Sequence, residues 1–125
     1  MARQALQPEG LATPKPPYSP VVIAGDAVYT AGQIANDADG NLVAGGIEEQ
    51  TRQTLVNLRL CLEAAGCSLD DVVKVNAFLA SLDDFPGYNA VYKEFFDAPY
   101  PARSSVGAGL PPGVLVEIEA VARRP

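Results

Sequence analysis

Residues 114–122 read VLVEIEAVA. Val114, Val116, Ile118, Ala120 and Ala122 fall on one side of an extended chain, and Leu115, Glu117, Glu119 and Val121 on the other. The first set is wholly apolar and belongs beneath a layer of helices. The second mixes aliphatic residues with two carboxylates. Burying it against other copies of the chain would cost several kcal/mol per ion unless each carboxylate meets a cation or a hydrogen-bond donor.

Moving outward, the turn LPPG (110–113) joins this strand to another near Arg103–Ala108, which begins in PARSSV (101–106). Arg103 is the nearest cation in sequence, and a guanidinium suits a planar carboxylate better than an ammonium does. Two readings stay open. Arg103 pairs with Glu117 or Glu119 across an interface, or it holds a substrate carboxylate while a glutamate orients water.

Further back, Asp83 or Asp84 caps a helix with Pro86 in its first turn, whose stripe of Tyr88, Val91, Tyr92 and Phe95 reads as core. VVKVNAFLAS (72–81) reads as a strand with Val73, Val75, Ala77 and Leu79 on one side. Leu55, Leu58, Leu62 and Ala65 define a helix that starts at Ile47 and stops before Gly66. Its first-turn acids, Glu48 and Glu49, suit the helix dipole and are assigned no chemistry. Val21–Ala24 and Ala27–Gly32 form a hairpin turning at Gly25-Asp26, and NDADGNLVAGG (36–46) is a surface loop. The Pro-rich residues 1–17 form an extended arm that holds neither a helix nor a central strand.

Two helices and about five strands pack most economically as an α+β fold, one mixed β-sheet with both helices on the same face. The other face is then uncovered, and burial against further copies is expected.

The composition agrees. At 125 residues, 48% hydrophobic and 19% charged, the chain has material for one core and reads as a single domain, 1–125. Nine basic against fifteen acidic residues leave a net charge of −6, which disfavours nucleic acid. With no histidine, a Ser-His-Asp or Cys-His system and imidazole metal sites are excluded. Cys61 and Cys67, six apart, read as reduced packing residues, not a disulfide or a metal cluster. No apolar leader or membrane-length run is evident, so a cytoplasmic location without membrane partners is expected.

PPYS up to Tyr18 and Ser19, TAGQI (30–34), GGIEEQTRQTLVNL (45–58), YNAVYKEFF (88–96), PARSSV (101–106) and VEIEAVA (116–122) together resemble the Rid/YjgF reactive-intermediate deaminases. The likeness runs over roughly residues 16–123, in the family's order. It implies a YjgF-like, chorismate-mutase-like architecture and a homotrimer with sites between subunits. It also implies hydrolysis of enamines and imines, such as those derived from 2-aminoacrylate, to 2-keto acids and ammonia, with no cofactor.

On that resemblance Arg103 would hold the substrate carboxylate and Glu117 would activate water. Tyr18, Asn89, Ala31, Gly32 and Ser105 would line or support the pocket. The chemistry needs no histidine, because an iminium is already electrophilic and positioning does much of the work. Departures from the family's pattern stand beside the matches. Ala31 replaces a common Ser, Ser105 a common Cys and Pro20 a common Gln, and the 107–113 segment is one residue shorter.

Substrate preference is therefore open: small 2-imino acids, or a larger unsaturated amino acid of the aminomuconate type. A non-catalytic metabolite-binding or holdase-like trimer is a further reading. The ribonuclease activity described for some members fits poorly with an acidic chain that lacks histidine.

Overall fold

The computed structural model describes residues 2–125. It sets the chain out as β1 (Gln4–Leu6), β2 (Val21–Ala24), β3 (Ala27–Thr30), α1 (Ile47–Ala64), β4 (Val72–Leu79), α2 (Phe85–Phe95), β5 (Ala102–Gly107) and β6 (Val116–Arg123). The strands form one mixed sheet in the order β1-β2-β3-β6-β4-β5. Only β4 and β5 run parallel; the other pairs are antiparallel. The crossover between the parallel strands is α2, and β5, last in the order, is an edge strand.

The alternation that starts at Val114 sets the layering. Val116, Ile118 and Ala122 are fully buried beneath the helices, together with Val75 and Leu79 of β4. Helix α1 supplies Leu55, Leu58 and Leu62 to this core, and α2 supplies Tyr88 and Val91. Each such aliphatic side chain contributes about 2 kcal/mol through removal from water. Helix α1 begins where the Glu49 carboxylate accepts the Gly46 N–H at 2.8 Å, and it ends at Gly66, whose φ of +80° is left-handed. Both thiols are free and buried, and burial pushes Cys61 up to about 12, as suits packing residues.

Several expectations shift. The N-terminal arm is not wholly irregular: Gln4–Leu6 pairs with β2 and adds a sixth strand at the sheet edge. That stretch lacks the prolines concentrated at 14–17, so its backbone can donate to a neighbour. Val73 does not share a face with Val75. A bulge between Val72 and Lys74 turns it outward, and Val72 is buried in its place.

The last strand begins at Val116, two residues late, because the buried Gln50 side chain occupies the approach. It donates to Gly113 O at 2.8 Å and accepts from Leu115 N at 2.9 Å. Asp84 occupies the cap position of α2 without a side-chain capping bond.

The opposite face of the sheet has no covering layer among the described residues. Tyr29 is 49% exposed there, and Phe78, Leu115 and Val121 are only half-buried. No helix among the described residues is long and apolar enough to cross a membrane.

Candidate active site

On the helix-facing side, strand β5 runs parallel to β4 with Arg103 beside Val75 and Ser105 beside Ala77. Because Val75 and Ala77 point into the core, Arg103 and Ser105 point toward α2. Arg103 Nη1 donates to Asn89 Oδ1 at 2.9 Å. Its guanidinium carbon lies 5.2 Å from the Tyr88 ring centre and 4.7 Å from that of Tyr92, within cation–π range of both faces. The Tyr88 hydroxyl and Ser105 Oγ share a 3.0 Å hydrogen bond.

Burial raises the Tyr88 phenol while Ser105 and Arg103 oppose the shift, and burial pushes Tyr92 up to about 12. Both phenols therefore stay protonated in neutral solution. The Tyr92 hydroxyl is buried without a hydrogen-bond partner. A cavity of about 350 Å³ opens beside Arg103, lined also by Asn89, Tyr92, Lys93, Tyr100 and Pro101.

On the opposite side, Glu117 lies across from Phe78 and Glu119 across from Asn76. Asn76 Nδ2 donates to Glu119 Oε2 at 3.2 Å. The Glu117 carboxyl sits above the ordinary glutamate range, first because burial penalises its charge and second because Glu119 is near.

The chain leaves the β3–β6 ladder at Thr30, whose Oγ1 accepts the Ala120 N–H at 3.0 Å, and rejoins it where Gln33 bridges Ile118. That detour lays Gly32 against Glu117. A Cβ at position 32 would stand 2.8 Å from the carboxylate carbon of Glu117, so only glycine permits the approach.

The residues singled out by sequence thus fall into two groups. Arg103, Asn89 and Ser105 come together at the β5–α2 edge, whereas Gly32 and Glu117 meet on the uncovered face with Ala31 adjoining. Tyr18 stands 52% exposed ahead of β2, with no side-chain hydrogen bond to either group. The ion pair of Arg103 with Glu117 or Glu119 does not form within the chain. β4 separates the strands, and the side chains leave the sheet from opposite faces.

The sequence reads Tyr88 and Tyr92 only as core. They are core, and they also hold the arginine. The available signal was the Tyr88 hydroxyl, which needs a partner that an apolar core lacks and finds Ser105. Lys93, Tyr100 and Asn76 carried no such signal.

Comparison with known proteins gives a consistent result. The family described as Endoribonuclease L-PSP matches residues 10–124. The 2-iminobutanoate/2-iminopropanoate deaminase of Dermatophagoides farinae is 46% identical over 107 residues, 84% of each chain. Protein mmf2, mitochondrial, of Schizosaccharomyces pombe is 47% identical over 110 residues, 85% of this chain and 86% of that one. The crystal structure of E. coli TdcF with bound serine superposes with a TM-score of 0.91 at 37% identity, covering 98% of this chain and 99% of that one.

Proposed function

The chain belongs to the Endoribonuclease L-PSP family, the YjgF/Rid group, and from that premise we propose that it is a cofactor-independent deaminase hydrolysing reactive 2-imino acids to 2-keto acids and ammonia. The observation that carries the reading is Arg103. It is half-buried, tethered by Asn89 and flanked by two tyrosine faces, and it has no carboxylate partner among the described residues. A pre-oriented guanidinium without an anion is a receptor for one, and the α-carboxylate of a 2-imino acid fits its planar fork. Relatives named for 2-iminobutanoate and 2-iminopropanoate, and a neighbour crystallised with serine, support the substrate class.

The reaction needs little beyond positioning. Glu117 takes a proton from water as the oxygen adds to C2 of the protonated imine, whose C=N electron pair moves to nitrogen to give a neutral carbinolamine. That proton passes from Glu117 to nitrogen, the C–N bond breaks as the hydroxyl oxygen forms the C=O bond and returns its proton to Glu117, and ammonia leaves, to be protonated by Glu117 as ammonium. A carboxyl raised above its ordinary range, as Glu117 is, exchanges protons more readily near neutral pH than an ordinary glutamate. Gly32 lets that carboxylate lie close to the backbone, and Ser105, with Ala31 and Tyr18, completes the proposed lining.

Arg103 and Glu117 leave opposite faces of one sheet, so a site using both needs two copies of the chain. The uncovered apolar face supports the same assembly, and the family resemblance supports three subunits. A single domain spanning 1–125 and a cytoplasmic location also belong to this proposal; the mitochondrial relative makes the compartment worth testing by cell fractionation. The acidic charge and missing histidines set the ribonuclease in the family's description aside for this chain.

The test is to generate 2-imino acids in situ with an amino-acid oxidase, trap them with semicarbazide, and compare wild type with Arg103→Ala and Glu117→Ala. Wild type is expected to remove the imine before it is trapped, and each variant to lose about 10²-fold or more in rate. A wild-type rate equal to buffer across small and large imines overturns the proposal.

A further inference from the structure

The cavity beside Arg103 holds a second cation. Lys93 lines it, four residues beyond Asn89 on α2 and hence on the same helix face as the residue that anchors Arg103. Among the described residues of the chain itself, no carboxylate lines this cavity. Lys93 forms no ion pair among the described residues, although its neighbour Glu94 is taken up by Arg52 at 2.8 Å.

In a chain of net charge −6, two cations around one cavity without an acid run against the average field. A lysine in the last turn of α2 also suits the helix dipole, but that benefit is available to any residue of the turn. It does not account for the side facing Asn89.

The rest of the wall sharpens the point. Tyr92, Tyr100 and Pro101 supply apolar surface around the two cations. The cavity, about 350 Å³ in the single chain, is bordered by Arg103 and by Lys93, so a ligand held by both must carry an anionic group at each end.

Building on the deaminase reading, we propose that the preferred substrate is a 2-imino dicarboxylic acid, the imine of an acidic amino acid, with Arg103 on its α-carboxylate and Lys93 on the carboxylate that ends its side chain. Lys93 is then a specificity-determining residue. The chemistry at C2 is unchanged: water adds, the C–N bond breaks and ammonia leaves, while the distal carboxylate takes no part.

Competition between near-isosteres tests this. The imines of glutamate and glutamine differ in a charged against a neutral terminus and are nearly equal in size. Generated in situ by amino-acid oxidases and trapped with semicarbazide, they are compared by kcat/KM, with 2-iminobutanoate as the small reference. Wild type should favour the glutamate imine over the glutamine imine about tenfold, as for a hydrogen bond between charged groups.

Raising the salt concentration should shrink that ratio. Lys93→Met should bring it near unity, Lys93→Glu should invert it, and Lys93→Arg should keep it. Equal rates for the two imines in wild type, or a preference that survives Lys93→Met, overturn the assignment. If 2-iminobutanoate is hydrolysed and the dicarboxylate is not preferred, only this inference falls. If no imine is hydrolysed, the deaminase reading fails and this inference with it.

Discussion

The α2–β5 edge and the β3–β6 face carry the two halves of the candidate site, and they are prepared in opposite ways. At the edge, Arg103 is surrounded by groups that complement it: an amide oxygen at 2.9 Å and two aromatic faces. On the face, Glu117 is surrounded by groups that oppose its charge, namely partial burial and a second carboxylate. In the proposed reaction the cation binds and the acid exchanges a proton. Arg103 is complemented by its own chain, while Glu117 meets no cation among the described residues.

The largest expected effect comes from separating the halves. Arg103→Ala and Glu117→Ala homo-oligomers should each be nearly inactive. Unfolding the two variants together and refolding them as a mixture should restore a substantial share of activity, because some clefts then combine an intact arginine with an intact glutamate. A mixture as inactive as its components would show that the halves do not meet across subunits.

Next in size is Gly32→Ala. The added methyl overlaps the Glu117 carboxylate, so kcat for imine hydrolysis should fall at least tenfold while the far-ultraviolet dichroism stays that of the folded chain. Unchanged kcat would remove Gly32 from the acid's half.

A smaller effect is expected on the other side. Tyr88→Phe keeps the ring over Arg103 and deletes only the hydroxyl bonded to Ser105, which costs about 1 kcal/mol of stability. The loss should be non-additive with Ser105→Ala in urea denaturation, since both changes break the same bond. Strict additivity would mean that the two hydroxyls act independently.

The smallest effect concerns pH. The Glu117 carboxyl is raised in the folded chain, so its favourable contribution to stability is present below the ordinary value of about 4.5 and is lost as pH rises through the folded value. Glu117→Gln should therefore gain stability relative to wild type as pH increases from 4 to 7. Urea midpoints across roughly that range with parallel slopes for the two proteins would contradict the raised carboxyl.

Much of the fold was legible because periodicity reports burial directly. The Leu55, Leu58 and Leu62 spacing located α1, and the alternation of residues 114–122 identified which side of β6 the helices cover. Local chemistry that depends on backbone geometry was less visible. Nothing in VVKV announces the bulge that turns Val73 to solvent, and nothing in QAL announces pairing with β2, because both depend on what lies alongside.

The candidate site was legible residue by residue through its family pattern, yet its division was hidden. Strand β4 enters the sheet between β6 and β5, so residues close in sequence, Arg103 and Glu117, are held on separate strands with side chains on opposite faces. Tyr92 and Lys93 show the same limit: an aromatic at core spacing and a lysine near a helix end look ordinary until β5 delivers Arg103 beside them.

The sequence by itself determined the α+β class, the apolar side of each long element, the missing histidine chemistry and the identity of the charged groups. These follow from composition and from fixed periods of 2.0 and 3.6 residues, which are local properties of the chain. Only the tertiary structure decided that Arg103 lies over two tyrosine rings, that Gly32 makes room for Glu117, and that arginine and glutamate face apart. Those are contacts between segments far apart in sequence, determined by strand order and register, and no local pattern encodes them.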